Sequence, residues 1–186
     1  MKKLAIFASG SGSNAENIIT HLKKSNLKTE FLILTNNPNA KVLVRAKKLN
    51  VEAVVFDKTE LLNGTVLKKL MSFQPDLIIL AGFLLLLPVT IINAFPHKII
   101  NIHPSLLPKY GGKGMYGINV HNAILENKEA QTGITIHYVN ENYDDGTFIF
   151  QKSVSILDCM TSEMIVEKIQ VLEMKHFPQV IFELLQ

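Results

Sequence analysis

Lys98-Ile99-Ile100-Asn101-Ile102-His103-Pro104-Ser105-Leu106-Leu107-Pro108 is the stretch on which the fold of this chain turns. An apolar, β-branched run that enters a loop reads as a buried strand, so Asn101 and His103 stand at that strand's carboxyl end. In an open α/β sheet that is where ligands bind. The amide of Asn101 is a donor that stays neutral at every working pH, while an imidazole carries or releases a proton near neutrality. Together they suit a reaction that builds negative charge on a carbonyl oxygen and moves a proton. Pro104 and Pro108 stiffen the following loop. The plain alternative is a strand ending in a solvated histidine and a proline turn.

Toward the N-terminus, Leu4 to Ala8 reads as the first strand. Ser9-Gly10-Ser11-Gly12-Ser13-Asn14 then turns into a helix from near Ala15 to about Lys24. A strand, a glycine-rich turn and a helix N-terminus present backbone N–H groups and a positive dipole end to an anion. Gly10, Gly12 and Ala15 also fit the looser G-x-G-x-x-A dinucleotide fingerprint. That reading needs an acidic residue about 20 positions on, at the end of the second strand. Here that strand, Phe31 to Thr35, ends in Asn36-Asn37-Pro38, which favours a phosphate monoester over a dinucleotide. A purely structural Gly-Ser turn is the alternative.

The rest of the chain alternates in the same way. A helix from about Ala40 to Leu49 precedes a strand from Glu52 to Phe56. Asp57-Lys58-Thr59 opens a helix through Leu61, Leu62, Leu67 and Leu70, which Asn63-Gly64 can break, and Asp76 to Leu80 is the fourth strand. This predicts βαβ units: an α/β, doubly wound, largely parallel twisted sheet with a Rossmann-like N-terminal half. Beyond the opening stretch, Tyr110 to Gly117 is a glycine-rich loop and Val120 to Glu126 a short helix carrying His121. Gly133 to Val139 is a strand whose acidic loop, Asn140 to Gly146, returns into the strand Thr147 to Val154, giving an antiparallel C-terminal portion. A long amphipathic segment from Thr161 to Leu185 follows, and Pro178 should interrupt it.

Composition narrows the partners. The 186 residues suit a single domain, 1–186, with 47% hydrophobic and 19% charged residues and no disordered signature. Net charge is +3 and Arg45 is the only arginine, so small phosphorylated or carboxylated molecules fit better than nucleic acid. Cys159 is the only cysteine, which forbids an intrachain disulfide and points to a reducing, cytoplasmic setting. Leu77 to Pro96 carries no charge, but Gly82, Pro88, Thr90 and Asn93 interrupt it; it reads as a buried strand and loop, not a membrane span. The Asn140 to Gly146 loop lacks the regular spacing of a calcium site, and the histidines at 21, 97, 103, 121, 137 and 176 form no ligand pattern, so no metal is expected. All of those histidines except His103 read as ordinary surface or core residues.

Three separated pieces now stand together: the Ser9 to Asn14 turn, Asn101 to Pro108, and Val139 to Gly146 with Asp144. In that order and at those separations the chain resembles the folate-dependent formyltransferases, and among them the phosphoribosylglycinamide formyltransferase (GAR transformylase) family of purine biosynthesis, from end to end. The resemblance implies that Gly12, Ser13 and Asn14 hold the ribotide phosphate, with Gln170 and Glu173 near the ribose and glycinamide. It makes Asn101, His103 and Asp144 the catalytic trio. It places the pterin of the cosubstrate 10-formyltetrahydrofolate against Leu84, Leu85, Leu86 and Leu87, against Asn101, and against the loop of Asn140, Glu141, Asn142, Tyr143 and Asp144. Residues 1–100 would then be the phosphate-binding half and 101–186 the catalytic and folate-binding half. The Leu107-Pro108 bond is expected to be cis, and the protein a monomer or weak homodimer acting on small molecules.

The chain departs from that family in four places. Leu85 and the region of Thr59 lack the basic residues common there, leaving Lys58 as a substitute for the folate glutamate tail; the Gly111 to Gly117 loop is longer and richer in glycine; Asp145 replaces a second glycine; and the chain ends soon after its final helix. Methionyl-tRNA formyltransferase and formyltetrahydrofolate deformylase share the Asn-x-His core but usually add a further domain, for which this length is read as leaving no room. A non-catalytic ribotide- or folate-binding module on the same scaffold is the remaining alternative.

Overall fold

Alternating β-branched runs and amphipathic segments become seven strands and seven helices in a computed structural model that describes residues 1–186. In chain order these are β1 (Lys2–Phe7), α1 (Ser13–Lys24), β2 (Thr29–Thr35), α2 (Lys41–Leu49), β3 (Glu52–Val55), α3 (Lys58–Leu62), α4 (Thr65–Phe73) and β4 (Leu77–Leu80). Then come α5 (Val89–Ala94), β5 (Ile99–His103), α6 (Ile118–Glu126), β6 (Gln131–Tyr138), β7 (Phe148–Ser155) and α7 (Ser162–Leu184).

The strands form one sheet in the order β3-β2-β1-β4-β5-β6-β7. The first five pair in parallel, and β5-β6 and β6-β7 are antiparallel, as the returning acidic loop requires. Strand alternation sorts the core onto two faces. Leu4 and Ile6 join Ile18, Leu22, Val120, Ile169 and Phe177 under α1, α2, α6 and α7. Ala5 and Phe7 join Leu61, Leu70 and Ile91 under α3, α4 and α5. Ile100 and Ile102 belong to the first face, so Asn101 and His103 point to the second, on the part of the sheet beyond α5.

Several boundaries differ from the sequence reading. Asn63-Gly64 does divide the third helical segment, and Asp57 and Glu60 close a reciprocal capping box at its start. The segment considered for a membrane span is instead β4, a loop and α5, and no helix is long and apolar enough to cross a membrane. α5 was not expected, because its β-branched Val-Thr-Ile-Ile carries a weak helical signal; Pro88 precedes it and Ile91 and Phe95 bury into the second face. The expected break at Pro178 does not occur: α7 runs unbroken from Ser162 to Leu184. A proline removes the donor that would satisfy the carbonyl four residues back. Here that carbonyl, Met174 O, accepts from Asn17 Nδ2 at 2.7 Å. Pro178 itself is buried in the first face beside Phe177 and Ile181.

Candidate active site

The chain runs from β1 outward through β2 to β3, then returns to β4 on the other side of β1. The turn after β1 therefore enters α1 on one face, while the loop after β4 leaves toward α5 on the other. Such a reversal opens a crevice at the carboxyl ends of the strands. A cavity of about 630 Å³ lies there. Gly12, Ser13 and Asn14 line one part of it, with Gln170 and Glu173 of α7. Leu84, Leu85, Leu86 and Leu87 line another, with Asn140, Asn142, Tyr143 and Asp144. Asn101 and His103 lie between, and of the expected site residues Glu141 alone does not reach the cavity.

The glycine-rich turn is built for close approach. Gly12 caps α1 with φ 70°, and a Cβ there would lie 2.4 Å from Val42 Cγ2. No side chain caps this helix, whose first N–H groups have no acceptor within it. The turn is held from outside. Arg45 Nε donates to Ser11 O at 2.8 Å while its guanidinium pairs with Glu16. Ser9 Oγ donates to Asn36 Oδ1 at 2.6 Å and accepts from Leu84 N at 3.1 Å, tying the turn to the end of β2 and to the leucine loop. Asn14 Nδ2 donates to Glu173 Oε2 at 2.8 Å, whereas Asn14 Oδ1 is buried without a partner. Burial raises the Glu173 carboxyl, opposed by the Asn14 hydrogen bond and by the charge of His103.

The predicted trio is brought together around one carboxylate oxygen. His103 Nδ1 lies 3.3 Å from Asp144 Oδ1, and Asn101 Nδ2 reaches the same oxygen at 3.4 Å. Asp144 Oδ2 accepts from Gly112 N at 3.0 Å. The other ring nitrogen of His103, Nε2, donates to Tyr110 O at 2.7 Å. Both nitrogens of this ring face oxygen acceptors, and only the imidazolium carries a donor for each. Burial pushes the Asp144 carboxyl up, but hydrogen bonds from His103 and His137, the charge of His103 and the Gly112 N–H outweigh it, leaving the carboxyl well below its usual range. Asp144 adopts φ 52°, which an aspartate tolerates. Gly146 lets the loop return: a Cβ there would lie 1.6 Å from Tyr138 O.

Sequence reasoning missed His137, grouped with the ordinary histidines. It pairs directly across from Asn101 in the β5-β6 register, beside an irregularity between Ile136 and His137 in the β6-β7 pairing. His137 Nδ1 lies 2.8 Å from Tyr138 O, and its Nε2 stands 3.2 Å from Asn101 Nδ2 and 3.6 Å from Asp144 Oδ1, so the ring faces two members of the trio. Period-2 alternation from the apolar Ile134 and Ile136 puts His137 on the face opposite them, a signal the sequence did contain. His121, also unassigned, lines the cavity at 4% exposure with Nδ1 unpartnered; burial, then the charge of His103, push it down to about 4.

The loop after β5 packs over the polar face that the helices leave open. Thr135 Oγ1 donates to Ser105 O at 2.7 Å and accepts from Leu107 N at 3.0 Å, and Gln151 Nε2 donates to Leu107 O at 2.8 Å. The Leu107-Pro108 bond is cis. On the leucine side, Leu84 and Leu86 are exposed, Leu87 is buried and half-buried Leu85 packs against the second core face. Lys58 and Thr59 do not line the cavity, and the only Lys or Arg that does is Lys113.

Comparison with known proteins gives a consistent picture. The formyl transferase family model matches residues 2–181. The chain is 38% identical over 191 residues to a phosphoribosylglycinamide formyltransferase of Bacillus subtilis, covering 100% of this chain and 95% of that one. It is 36% identical to the chloroplastic phosphoribosylglycinamide formyltransferase of Arabidopsis thaliana, covering 97% of this chain but only 64% of that protein's length. The crystal structure of phosphoribosylglycinamide formyltransferase from Bacillus halodurans superposes with a TM-score of 0.90 at 37% identity, covering 100% of this chain and 96% of that one.

Proposed function

The chain belongs to the formyl transferase family, and from that premise we propose that it transfers the formyl group of 10-formyltetrahydrofolate to the amine of phosphoribosylglycinamide, a step of purine biosynthesis. The observation that carries this reading is the meeting of Asn101, His103 and Asp144 within 3.4 Å between an anion-binding turn and an apolar leucine loop. The ribotide phosphate sits on the N–H groups of Gly12, Ser13 and Asn14, and its sugar lies near Gln170 and Glu173. The pterin lies against Leu84 to Leu87 and the Asn140 to Asp144 loop. Residues 1–100 thus supply mainly the phosphate site, and 101–186 the chemistry and most of the folate contacts. The protein acts in the cytoplasm as a monomer or weak homodimer.

The amine nitrogen attacks the formyl carbon, a C–N bond forms and the carbonyl oxygen takes up negative charge. Asn101 Nδ2 supplies the hydrogen-bond donor for that oxyanion, and the imidazolium of His103, whose two N–H groups are held by Asp144 and by Tyr110 O, stabilises it through its positive charge. The Asn101 to Asp144 contact, at 3.4 Å, is the longer of the two that bind the trio together. It is the one the oxyanion replaces, since geometry tightens around a developing charge. Asp144, anionic at working pH, holds the imidazolium of His103 in place and accepts the amine proton directly or through a water. The folate nitrogen takes up a proton as its bond to carbon breaks and leaves as a neutral amine.

Purified protein incubated with phosphoribosylglycinamide and 10-formyltetrahydrofolate tests the reading, with loss of the folate formyl group followed with and without the ribotide. Loss that requires the ribotide and yields its formyl amide is expected. Formyl loss that proceeds equally without ribotide would make the protein a hydrolase, and none in either case would leave a binding module.

A further inference from the structure

We propose that Lys113 is the cation that binds the phosphate monoester of the ribotide, a role that rests on the reaction read above. The chain has 19 Lys and Arg residues, yet Lys113 is the only one lining the cavity. A phosphate monoester carries a charge of about −1.5 to −2 near neutrality, whereas a helix N-terminus offers the equivalent of only about +0.5. The neighbouring side chain at that end of the cavity, Glu173, is acidic and adds none. Arg45 is near enough to hold Ser11 O, but Glu16 already neutralises it. Lys113 makes no ion pair, in contrast to Lys109 next along the same loop, which is paired with Glu129 at 3.0 Å.

Two anions compete for this cation, the ribotide phosphate and the folate glutamate tail, and the packing of the loop chooses between them. Tyr110 and Met115, which flank Lys113, pack against the core face built with α1 and α7. That is the face of Asn14 and Glu173. Phe83 and Leu85 pack against the opposite face. The loop is tied down on either side of its turn, through Gly112 N on Asp144 Oδ2 and Tyr110 O on His103 Nε2. The same short segment therefore contacts two members of the catalytic cluster and carries the charge for the ribotide. Lysine suits this task as a flexible point charge on phosphate oxygens.

The test compares Lys113→Gln and Lys113→Arg with the unaltered protein, using the ribotide and its dephosphorylated riboside as acceptors. For the ribotide, Lys113→Gln should raise KM roughly three- to thirtyfold, as expected for losing one charged contact to phosphate. The loss should be carried by KM, vanish with the riboside, shrink at high salt, and be largely restored by Lys113→Arg, with KM for the folate unmoved. Ribose 5-phosphate binding, followed by thermal shift without turnover, should weaken by a similar factor. Equal penalties for ribotide and riboside, or a penalty that falls on the folate instead, would overturn the assignment. Failure of the unaltered protein to transfer formyl would count against the proposed reaction alone, because ribose 5-phosphate binding still reports on Lys113.

Discussion

Replacing Gly12 with alanine tests whether the turn after β1 works through its backbone. The residue sits at φ 70°, a left-handed conformation that costs an L-residue about 1 to 2 kcal/mol. The new Cβ would also meet Val42 Cγ2 at 2.4 Å and the Val42 Cα at 2.9 Å. Val42 is fully buried and cannot swing away, so an overpacking cost of about 1 to 3 kcal/mol applies. Together the loss is about 2 to 5 kcal/mol; at about 2 to 4 °C per kcal/mol for a chain of this length, Tm should fall by roughly 4 to 20 °C. Relief comes from pushing the turn off α2, which displaces the uncapped N–H groups of α1 that we propose bind the phosphate. KM for the ribotide should then rise more than about tenfold, the scale of losing one or more charged hydrogen bonds, while folate binding stays within about twofold. Calorimetry and steady-state kinetics measure both. Gly12→Ala combined with Val42→Ala should be more stable than the sum of the single losses predicts, with a coupling of about 0.5 to 3 kcal/mol. Strict additivity would refute the clash, and equal losses for ribotide and folate would make the turn merely structural.

Asp144→Asn should lower stability at pH 7 by about 1.5 to 3 kcal/mol, because hydrogen bonds to a charged group are lost in a buried site. A carboxyl whose folded pKa is depressed stabilises the protein above its unfolded pKa and loses that contribution as pH falls toward the folded value. The gap between the two proteins in urea unfolding should therefore narrow steadily below about pH 4, the unfolded value; a constant gap would contradict the cluster. Asn101→Ala should cost about 100- to 1,000-fold in kcat across the whole pH profile, since an amide does not titrate, and a loss confined to one limb would assign it another role. Leu85→Arg should tighten binding of a polyglutamylated folate by about 0.2 to 1 kcal/mol, the worth of an exposed ion pair. Weaker binding by titration calorimetry would mean that the packing of Leu85 on the second core face matters more than the new charge.

The parallel half of the sheet and its switch point were legible because each βαβ unit carries its own local signal. β4 is an uninterrupted apolar run, β1 and β5 hold the apolar runs Leu4 to Phe7 and Ile99 to Ile100, and a glycine or proline follows each strand within three residues. The trio was legible for another reason: Asn101 and His103 share a strand end, and Asp144 stands before a glycine in a loop that must turn sharply. His137 was not, although strand alternation put it on the right face. What makes it part of the site is its pairing opposite Asn101, a register that the intervening loop and α6 set and no local pattern states. Lys113 was hidden in the same way, since its significance lies in the absence of any other Lys or Arg along the cavity. That is a property of the folded surface and not of the loop's own sequence.

Pro178 marks the limit of local reasoning most sharply. By itself a proline seventeen residues into a helix predicts a break, since it leaves the carbonyl of Met174 without a donor. In the folded chain that carbonyl is met by Asn17 of α1, 157 positions away in sequence. The proline thus converts an internal helix bond into a tether between the first and last helices. Three residues before Asn17 stands Asn14, which donates to Glu173, the residue before Met174. Two adjacent contacts therefore dock α7 against α1, whose N-terminus lines the cavity, one from the backbone carbonyl that Pro178 frees and one from a carboxyl that burial pushes up. The helix that looks interrupted in the sequence is continuous because its defect is satisfied by α1, next to Glu173, where α7 lines the cavity.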